Sequence, residues 1–257
     1  MPRREDFQMK EQLKIEEGVF ENRTMMRLRS FFTHGIISSL EFIIAKGKEA
    51  DIYLADGGAS VSDAFVAVKI FRLETSSFAK RADYINGDPR FGRMRPGISE
   101  LVNVWCRKEY GNLKIAGAAG IHAPRPYLFN GNVIAMELIG DDEGRPAPTL
   151  KDSVLEDPEP IMDSILLQIG RLYVKGLVHS DVSEYNILIK EKIPYFIDFG
   201  QAVVLEHPMS KKFLERDIAN MLSYFRKQYG IERDLGKALM QVTQGGATGV
   251  VDGGNTN

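Results

Sequence analysis

The stretch that decides the fold is Val178-His179-Ser180-Asp181-Val182-Ser183-Glu184-Tyr185-Asn186, and Asp198-Phe199-Gly200 follows it closely. An aspartate stands five residues before an asparagine, and a second aspartate comes after a short hydrophobic segment. This spacing is typical of a phosphotransfer site, in which the first aspartate receives a hydroxyl proton. The asparagine and the second aspartate offer oxygen ligands to Mg²⁺. Either acid by itself could be a helix cap or a turn residue, but the ordered set favours phosphotransfer.

The composition is that of a globular protein with a hydrophobic core. The chain has 257 residues, 44% of them hydrophobic, and its formal net charge of -2 does not favour nucleic-acid binding by the chain as a whole. Its one cysteine, Cys106, excludes a disulfide within the chain and a cysteine cluster for zinc. No apolar run approaches the roughly 20 residues of a membrane span, and residues 1–6 lack the apolar stretch of a signal peptide. We therefore expect a cytoplasmic protein that does not enter a membrane.

One segment is locally basic. From Arg72 to Arg95, six basic residues stand against three acidic ones, a local excess of +3. A solvated loop is the simpler interpretation. The alternative is a contact with phosphate, substrate or RNA over residues 72–95.

The hydrophobic pattern changes from strand-like to helical along the chain. A helix is predicted over residues 21–34 and another over 99–118, and strands over 40–45, 50–55, 65–71, 125–129 and 133–138. The second half is helical before Gly176 and again up to Gly230, with short strands over 187–189 and 195–197 joined by a turn at Pro194. An α+β body of two lobes follows.

The domain limits follow from composition. Residues 140–148 resemble a linker, and the residues from 244 onward are rich in glycine. We predict an N-terminal helical extension over 1–40, a β-rich nucleotide lobe over 41–139, a helical catalytic lobe over 140–243 and a disordered tail over 244–257.

Lys69 follows Val66-Ala67-Val68 near the end of a predicted strand. Alternate residues of a strand share a face, so Ala67 and Lys69 lie side by side. A small alanine beside a lysine suits a flat purine with phosphates beyond it. An exposed lysine at a strand end would be the simpler interpretation for Lys69 by itself, but the downstream aspartates favour phosphate contact.

Glu109 lies on the predicted helix face that carries Trp105 and Leu113. A carboxylate on an apolar face needs a partner, because an unpaired buried charge is costly. Lys69 is the candidate partner. A surface pair with a neighbouring lysine is the alternative for Glu109, and Glu100 is the fallback partner for Lys69.

Two further residues, a histidine and an acid, have open roles. His179 is predicted to pack beneath the loop rather than carry protons. Asp217 either braces the backbone of the catalytic loop or pairs with Arg216 or Lys212 on a helix surface.

The turn Gly47-Lys48-Glu49-Ala50 links the first two predicted strands. Glycine allows the backbone to approach phosphates, and free N–H groups bind anions. The signal is weak, because most such turns are only turns, and no G-x-x-x-x-G-K-[ST] pattern surrounds it.

Taken in order, these motifs resemble a protein kinase, and more narrowly the RIO family of atypical serine/threonine kinases. The turn at 47–53 is similar to that family's substitute for a glycine-rich loop, and residues 179–187 and 197–202 are similar to its two signatures. Residues 68–71 with 74–76 resemble the subfamily without a winged helix. The resemblance covers about residues 20–243. The chain departs from the usual pattern at Ala45-Lys46 and at Ser180.

The resemblance implies a two-lobed protein-kinase-like fold. Only 57 residues follow Gly200, so the C-terminal lobe is predicted to be trimmed and to lack the usual peptide-binding helices. ATP and Mg²⁺, with Mn²⁺ as a substitute, are the implied cofactors.

The resemblance also implies a role for each matching position. Asp181 would be the base, and Asn186 and Asp198 the metal ligands. The nucleotide would be bound by Gly47, Lys48, Glu49, Ala50, Ala67, Lys69 (held by Glu109), the backbone of Glu137 and Ile139, and Asn186. Asp198 is also the position that becomes an aspartyl-phosphate in this family.

Three functions remain open at this point. The first is a serine kinase that phosphorylates itself and acts in maturation of the small ribosomal subunit, with a subunit precursor as its partner by resemblance. The second is a nucleotide-gated assembly factor that hydrolyses ATP through a phosphate on Asp198. The third is a small-molecule kinase of the aminoglycoside type, against which the 47–50 turn and the 72–96 insertion argue. A catalytically dead scaffold is disfavoured because every expected polar group is present.

Overall fold

The computed structural model describes residues 22–73, 83–91 and 98–245. Predictions that fall on residues 1–21, 74–82, 92–97 and 246–257 lie outside this part of the chain. The chain forms two compact units. The first lies within Met1–Asp83, Arg93–Gly111 and Pro124–Pro146, and the second within Tyr84–Gly92, Asn112–Ala123 and Ala147–Asn257.

The first unit is built on a five-stranded antiparallel sheet. Its strands follow the order β1-β2-β3-β5-β4 and comprise β1 (Ile43–Lys46), β2 (Ala50–Asp56), β3 (Phe65–Phe71), β4 (Pro126–Asn130) and β5 (Val133–Glu137). All five were predicted within a few residues. β1 begins at Ile43 rather than at residue 40, and its pairing with β2 is irregular between Ile43 and Ala45.

Helix α1 (Asn22–Thr33) lies within the helix predicted over residues 21–34, and it packs on this sheet. Leu28 and Phe31 of α1 are fully buried and form one hydrophobic cluster with Val68 and Ala135 of the sheet. Val68 lies on the central strand, which is paired on both sides. The cluster therefore fixes the strand that carries Lys69.

The second unit is mainly helical. Its elements are α2 (Asp83–Asn86), α4 (Pro158–Val174), β6 (Leu177–Val178), β7 (Ile187–Lys190), β8 (Ile193–Phe196), a 3₁₀ turn (Phe199–Gln201), β9 (Val203–Val204), α5 (Ser210–Tyr229) and α6 (Leu235–Gly245). Helix α3 (Ile98–Ala118) contributes to both units, and the division falls between Gly111 and Asn112. After the 3₁₀ turn, the described chain contains the two helices α5 and α6.

Helix α5 ends where the sequence predicts. Gly230 follows it with φ 71°, and its N–H bonds the carbonyl of Arg226. This left-handed conformation favours glycine. None of the helices among the described residues is long and apolar enough to cross a membrane.

The predicted turn at Pro194 is wrong. Pro194 is buried within β8 and pairs with Ile189, while the turn consists of Glu191 and Lys192 with φ 52° and 64°. A two-residue turn with positive φ at both positions matches the twist of the flanking strands. The match to the strand twist offsets the steric cost of positive φ at two residues other than glycine.

Two segments that the sequence assigns to the first lobe pack within the second unit. Tyr84 stacks on Phe213 with ring centroids 5.2 Å apart, and the His122 carbonyl accepts a hydrogen bond of 2.8 Å from the N–H of Phe196. These contacts join residues about 70 or more positions apart, so local composition does not signal them. The division between Pro146 and Ala147 falls inside the predicted linker.

Candidate active site

Lys69 and Glu109 form a buried ion pair in the first unit. The Lys69 Nζ lies 2.7 Å from Glu109 Oε1 and 3.0 Å from Oε2, and the two side chains are only 9% and 1% exposed. An exposed lysine at a strand end is therefore ruled out. Glu100, the fallback partner, is exposed on α3.

The cysteine near this pair is inert. Burial raises the pKa of the Cys106 thiol well above its usual value, and the nearby Glu109 carboxylate raises it further. The thiol donates a hydrogen bond to the Val133 carbonyl at 3.5 Å. A buried neutral thiol is not a nucleophile.

Ala67 and Lys69 lie on a strand that is buried on both faces. Ala67 is 7% exposed and Val68, on the opposite face, is fully buried. The sheet places Lys69 opposite Ile52 on one neighbour and Ile134 on the other. The lysine is thus held at a fixed position of the sheet rather than at a frayed end.

The turn between β1 and β2 is tight. The N–H of Gly47 donates to the carbonyl of Ala50 at 3.0 Å, and a Cβ at position 47 would lie 2.8 Å from that oxygen. Only glycine fits there without displacing the backbone. Lys48 is exposed, and the carbonyl of Glu49 accepts a hydrogen bond from the N–H of Arg72. Phosphate contact by this turn stays a prediction.

Glu137 and Ile139 lie at the end of β5 and just beyond it. The Glu137 carboxylate accepts a 3.1 Å bond from the N–H of Arg125, and its own N–H donates to the Arg125 carbonyl at 2.9 Å. Ile139 is 4% exposed. The backbone at Glu137 is therefore rigid, and its contact with adenine stays a prediction.

Two of the six basic residues between Arg72 and Arg95 lie in the described ranges, and both form ion pairs. Arg72 pairs with Asp51 at 2.8 Å, and Arg90 pairs with the buried Asp88 at 2.6 Å. Both charges are matched within their own unit. The other four basic residues lie outside the described ranges, so an RNA contact has no support from the two that are described.

In the second unit, Asp181 and Asn186 are joined directly. The Asn186 side-chain amide donates to the backbone carbonyl of Asp181 at 2.8 Å and to its Oδ2 at 3.1 Å. Gln201 donates to the same Oδ2 at 2.8 Å. The predicted base and one predicted metal ligand are thus parts of one hydrogen-bonded cluster.

Asn186 and Asp198 stand at the open end of the β7–β8 hairpin. Asn186 precedes β7, and its carbonyl accepts a 3.0 Å bond from Ile197, the residue before Asp198. The predicted metal ligands are therefore fixed by a single bonded hairpin.

The chemistry of these two residues fits Mg²⁺. Since the Asn186 NH₂ faces Asp181, its carbonyl oxygen lies on the opposite edge of the amide and can serve as a ligand. Among the residues that the structure describes, no group of three or more His, Cys, Asp and Glu side chains could hold a metal ion. Mg²⁺ suits such a sparse set, because it usually takes one or two protein oxygens and completes its shell with water and phosphate.

Two residues of the site have a left-handed backbone. Ser180 has φ 66° and Asp198 has φ 61°. Outside glycine this conformation costs on the order of 1–3 kcal/mol and persists only where the surroundings enforce it. One residue lies immediately before the predicted base, and the other is a predicted metal ligand.

Asp217 of α5 enforces the first of these conformations. It is fully buried, and its Oδ2 and Oδ1 accept the backbone N–H groups of Ser180 at 2.7 Å and of Val182 at 3.0 Å. Arg216 donates to the Ser180 carbonyl, and Asn220 to that of Val182 at 3.1 Å. Of the two roles left open by the sequence, Asp217 therefore has the bracing one.

Burial raises the pKa of Asp217 to about 7, and the two backbone hydrogen bonds and Arg216 oppose that rise. The charged form is the one that accepts two N–H groups most strongly.

His179 has the predicted structural role. It is 2% exposed, its Nε2 lies 3.0 Å from the Ile197 carbonyl, and its ring meets Phe199 edge-on at 4.6 Å. The ring thereby links the loop before Asp181 to the residues on either side of Asp198.

Sequence reasoning missed two polar residues. Gln201 bonds Asp181, and Asn112 donates to the carbonyls of Phe199 at 2.8 Å and Ala202 at 3.0 Å, at the two ends of the 3₁₀ turn. Gln201 stands next to the Asp-Phe-Gly motif and within the stretch 197–202 that resembles a family signature, and this position could have suggested it. Asn112 lies far away along the chain and has no such signal.

We expect replacement of one partner of the Lys69–Glu109 pair to destabilise the fold more than replacement of both partners. Glu109→Gln and Lys69→Met should each lower the free energy of unfolding by about 3–5 kcal/mol, because each leaves a buried charge unmatched. The double variant Lys69→Met with Glu109→Leu should recover most of this loss. Urea denaturation followed by the fluorescence of Trp105, the single tryptophan, measures all three.

The matched control is Arg72→Met. The Arg72 side chain is 49% exposed in its pair with Asp51, so its removal should change stability by less than about 1 kcal/mol. A double variant as unstable as the two single variants combined would contradict the interpretation of Lys69–Glu109 as a pair retained for function.

Comparisons with known proteins identify the family of the chain. The family model of the RIO domain matches residues 51–238. The RIO-type serine/threonine-protein kinase Rio1 of Haloferax volcanii is 38% identical over 237 residues, which are 91% of this chain and 79% of that protein. The Rio1 kinase of Thermoplasma acidophilum is 46% identical over 170 residues, 66% of this chain and 89% of that protein.

A solved structure agrees at the level of fold. The Rio2 kinase–ADP/Mg²⁺–phosphoaspartate complex from Chaetomium thermophilum superposes with a TM-score of 0.67 at 22% identity, covering 86% of this chain and 66% of that one. The fold is therefore the predicted protein-kinase-like one, with mixed helix and sheet. On the extent of the family match and on the identity to the Rio1 kinases, the chain belongs to the RIO domain family.

Proposed function

We propose that this chain is an ATP- and Mg²⁺-dependent serine/threonine protein kinase that also phosphorylates itself. The observation that carries the proposal is the contact of Asn186 with Asp181, at 2.8 Å to the backbone carbonyl and 3.1 Å to the carboxylate. In this proposal the contact brings the residue that takes the proton next to a residue that holds the metal, the two roles of a kinase catalytic loop. The similarity to the Rio1 serine/threonine-protein kinases supports the same activity.

Each residue has one task in this proposal. Asp181 takes the proton of the attacking hydroxyl, an assistance typically worth ~10²–10⁴ in rate. Lys69, held by Glu109, binds phosphate oxygens of ATP. Asn186 and Asp198 would hold Mg²⁺, and the bound ion would supply positive charge that neutralises the phosphates.

The ion pair supports phosphate binding by Lys69. A buried lysine costs desolvation energy, and the pair with Glu109 offsets it without adding much stability. The benefit is a cation held at a defined place and orientation, which a flexible surface lysine does not provide. Mn²⁺ is expected to substitute for Mg²⁺, since both accept oxygen ligands.

The second candidate function is ATP hydrolysis through Asp198. The solved Rio2 kinase from Chaetomium thermophilum is a complex with ADP/Mg²⁺ and a phosphoaspartate, which supports this route. Here a carboxylate oxygen of Asp198 bonds to the γ-phosphorus, the bond from that phosphorus to the bridging oxygen breaks, and ADP leaves. Water then hydrolyses the acyl phosphate to free phosphate and restores the carboxylate.

The cellular partner in this proposal is a precursor of the small ribosomal subunit, in the cytoplasm. The support for this partner is the resemblance of the chain to the RIO family. The described residues of the basic segment add no support.

Asp181→Asn should reduce phosphotransfer by roughly 10²–10⁴ while the affinity for an ATP analogue stays within about twofold, because the amide cannot take the proton. Single-turnover transfer from labelled ATP and fluorescent-nucleotide titration measure the two quantities. Asp163→Asn is the control, since Asp163 lies half exposed on α4 in a pair with Arg233, and this change should alter neither quantity. Unchanged transfer in Asp181→Asn would remove Asp181 from its role.

The two candidate functions predict different phosphoproducts. A kinase leaves phosphate on a hydroxyl, where hydroxylamine does not release it, whereas an acyl phosphate on Asp198 is released by hydroxylamine. We expect the hydroxylamine-stable product to predominate in the isolated protein. Hydroxylamine-labile label, together with free phosphate release that a small-subunit precursor stimulates, would favour the second function instead.

A further inference from the structure

We infer that Gln201 is a positioning residue for phosphotransfer, which holds the carboxylate of Asp181 in the orientation that receives the proton of the acceptor. This inference rests on the proposed function.

The Asp181 Oδ2 accepts hydrogen bonds from two side-chain amides. Gln201 Nε2 lies 2.8 Å and Asn186 Nδ2 3.1 Å from its Oδ2. An ionised carboxylate accepts and cannot donate, so both amides must present their NH₂ groups to it, which fixes the orientation of each amide. Rotation of the carboxylate about its terminal torsion, which is otherwise soft, would break both bonds.

Gln201 is itself held firmly. It is 9% exposed and ends the 3₁₀ turn of residues 199–201. The fully buried Asn112 donates to the carbonyls of Phe199 and Ala202, so both ends of that turn are tied to α3. A donor on a turn that is bonded at both ends can determine the orientation of its acceptor.

The support continues one step further. Arg90 donates to Asn112 Oδ1 at 2.9 Å and is held by the buried Asp88, with bonds of 2.9 Å and 2.6 Å to its two carboxylate oxygens. The side-chain amide of Asn112 thus has partners on both its oxygen and its nitrogen. The amide that ties the turn is therefore fixed in one orientation.

A second buried glutamine shows what a purely structural role looks like. Gln168 of α4 is 2% exposed, accepts the N–H of His122 at 2.7 Å and donates to the Pro194 carbonyl at 3.0 Å. Both of these partners are backbone groups, which need such bonds when buried. Gln201 instead donates to the half-buried Asp181. Because water can also solvate a half-buried carboxylate, Asp181 does not need Gln201 for solvation. The Gln201 bond instead fixes the orientation of the carboxylate.

A double-mutant cycle tests this inference. Gln201→Met keeps the length and removes the donor, and we expect kcat to fall about tenfold with the KM for ATP within about twofold. If Gln201 acts through Asp181, the same change in an Asp181→Asn background should lower the remaining single-turnover rate by less than about twofold. An equal loss in both backgrounds, or no loss in the first, would overturn the inference.

Two additions accompany this cycle, a control variant at Gln168 and a crystal structure of the Gln201→Met protein. Gln168→Met removes a buried glutamine of the same size; it should lower the unfolding temperature and leave kcat within about twofold. A crystal structure of the Gln201→Met protein should show the Asp181 carboxylate in more than one orientation. A carboxylate that keeps its original orientation would overturn the inference. This result does not depend on whether the Asp181→Asn rate is fast enough to measure. If the unmutated protein transfers no phosphate, the proposed function itself fails, which is a separate result.

Discussion

One buried carboxylate determines the geometry of the candidate site. Asp217 accepts the backbone N–H groups of Ser180 and Val182, the two neighbours of Asp181. Two N–H groups two residues apart can reach one carboxylate only if the chain curves around it, and Ser180 takes a left-handed conformation to do so. Between these two neighbours, the Asp181 carboxylate accepts hydrogen bonds from Asn186 and Gln201. The energy stored in an unfavourable backbone is thus offset by charge-assisted hydrogen bonds.

The two units hold their polar groups by different means. In the first, a lysine is held by a buried glutamate, and the bond is between two full charges. In the second, the aspartate expected to take a proton is held by two neutral amides. A cation beside that aspartate would lower the pKa of its carboxyl group and make the carboxylate a weaker base toward the substrate proton. Neutral amides orient the carboxylate with a smaller effect on its basicity. The choice of partners in each unit fits phosphate binding in one and proton transfer in the other.

The sequence predicted the elements that show a hydrophobic period, and the buried charge whose desolvation requires a partner. The strand of Lys69 was found from its β-branched residues, and its partner Glu109 from the cost of a carboxylate on an apolar helix face. The hydrogen bonds that complete the site were not found, because they join Asn112 to Phe199 and Asp217 to Ser180 across 87 and 37 positions. Periodicity reports that a residue is buried but not which group it bonds. For that reason Asp217 was left with two roles and Gln201 with none.

The most direct test of the central claim is to locate the metal. Mn²⁺ added with an ATP analogue should broaden the NMR signals of the Asn186 side-chain amide and of the backbone amides of Phe199 and Gly200, in a saturable manner that Asp198→Ala abolishes. The exposed acidic pair Asp141 and Glu143 is the comparison on the same chain, and replacing both residues by their amides should leave this broadening unchanged. Broadening centred on those two residues, or unchanged by Asp198→Ala, would contradict the assignment of Asn186 and Asp198 as the metal ligands.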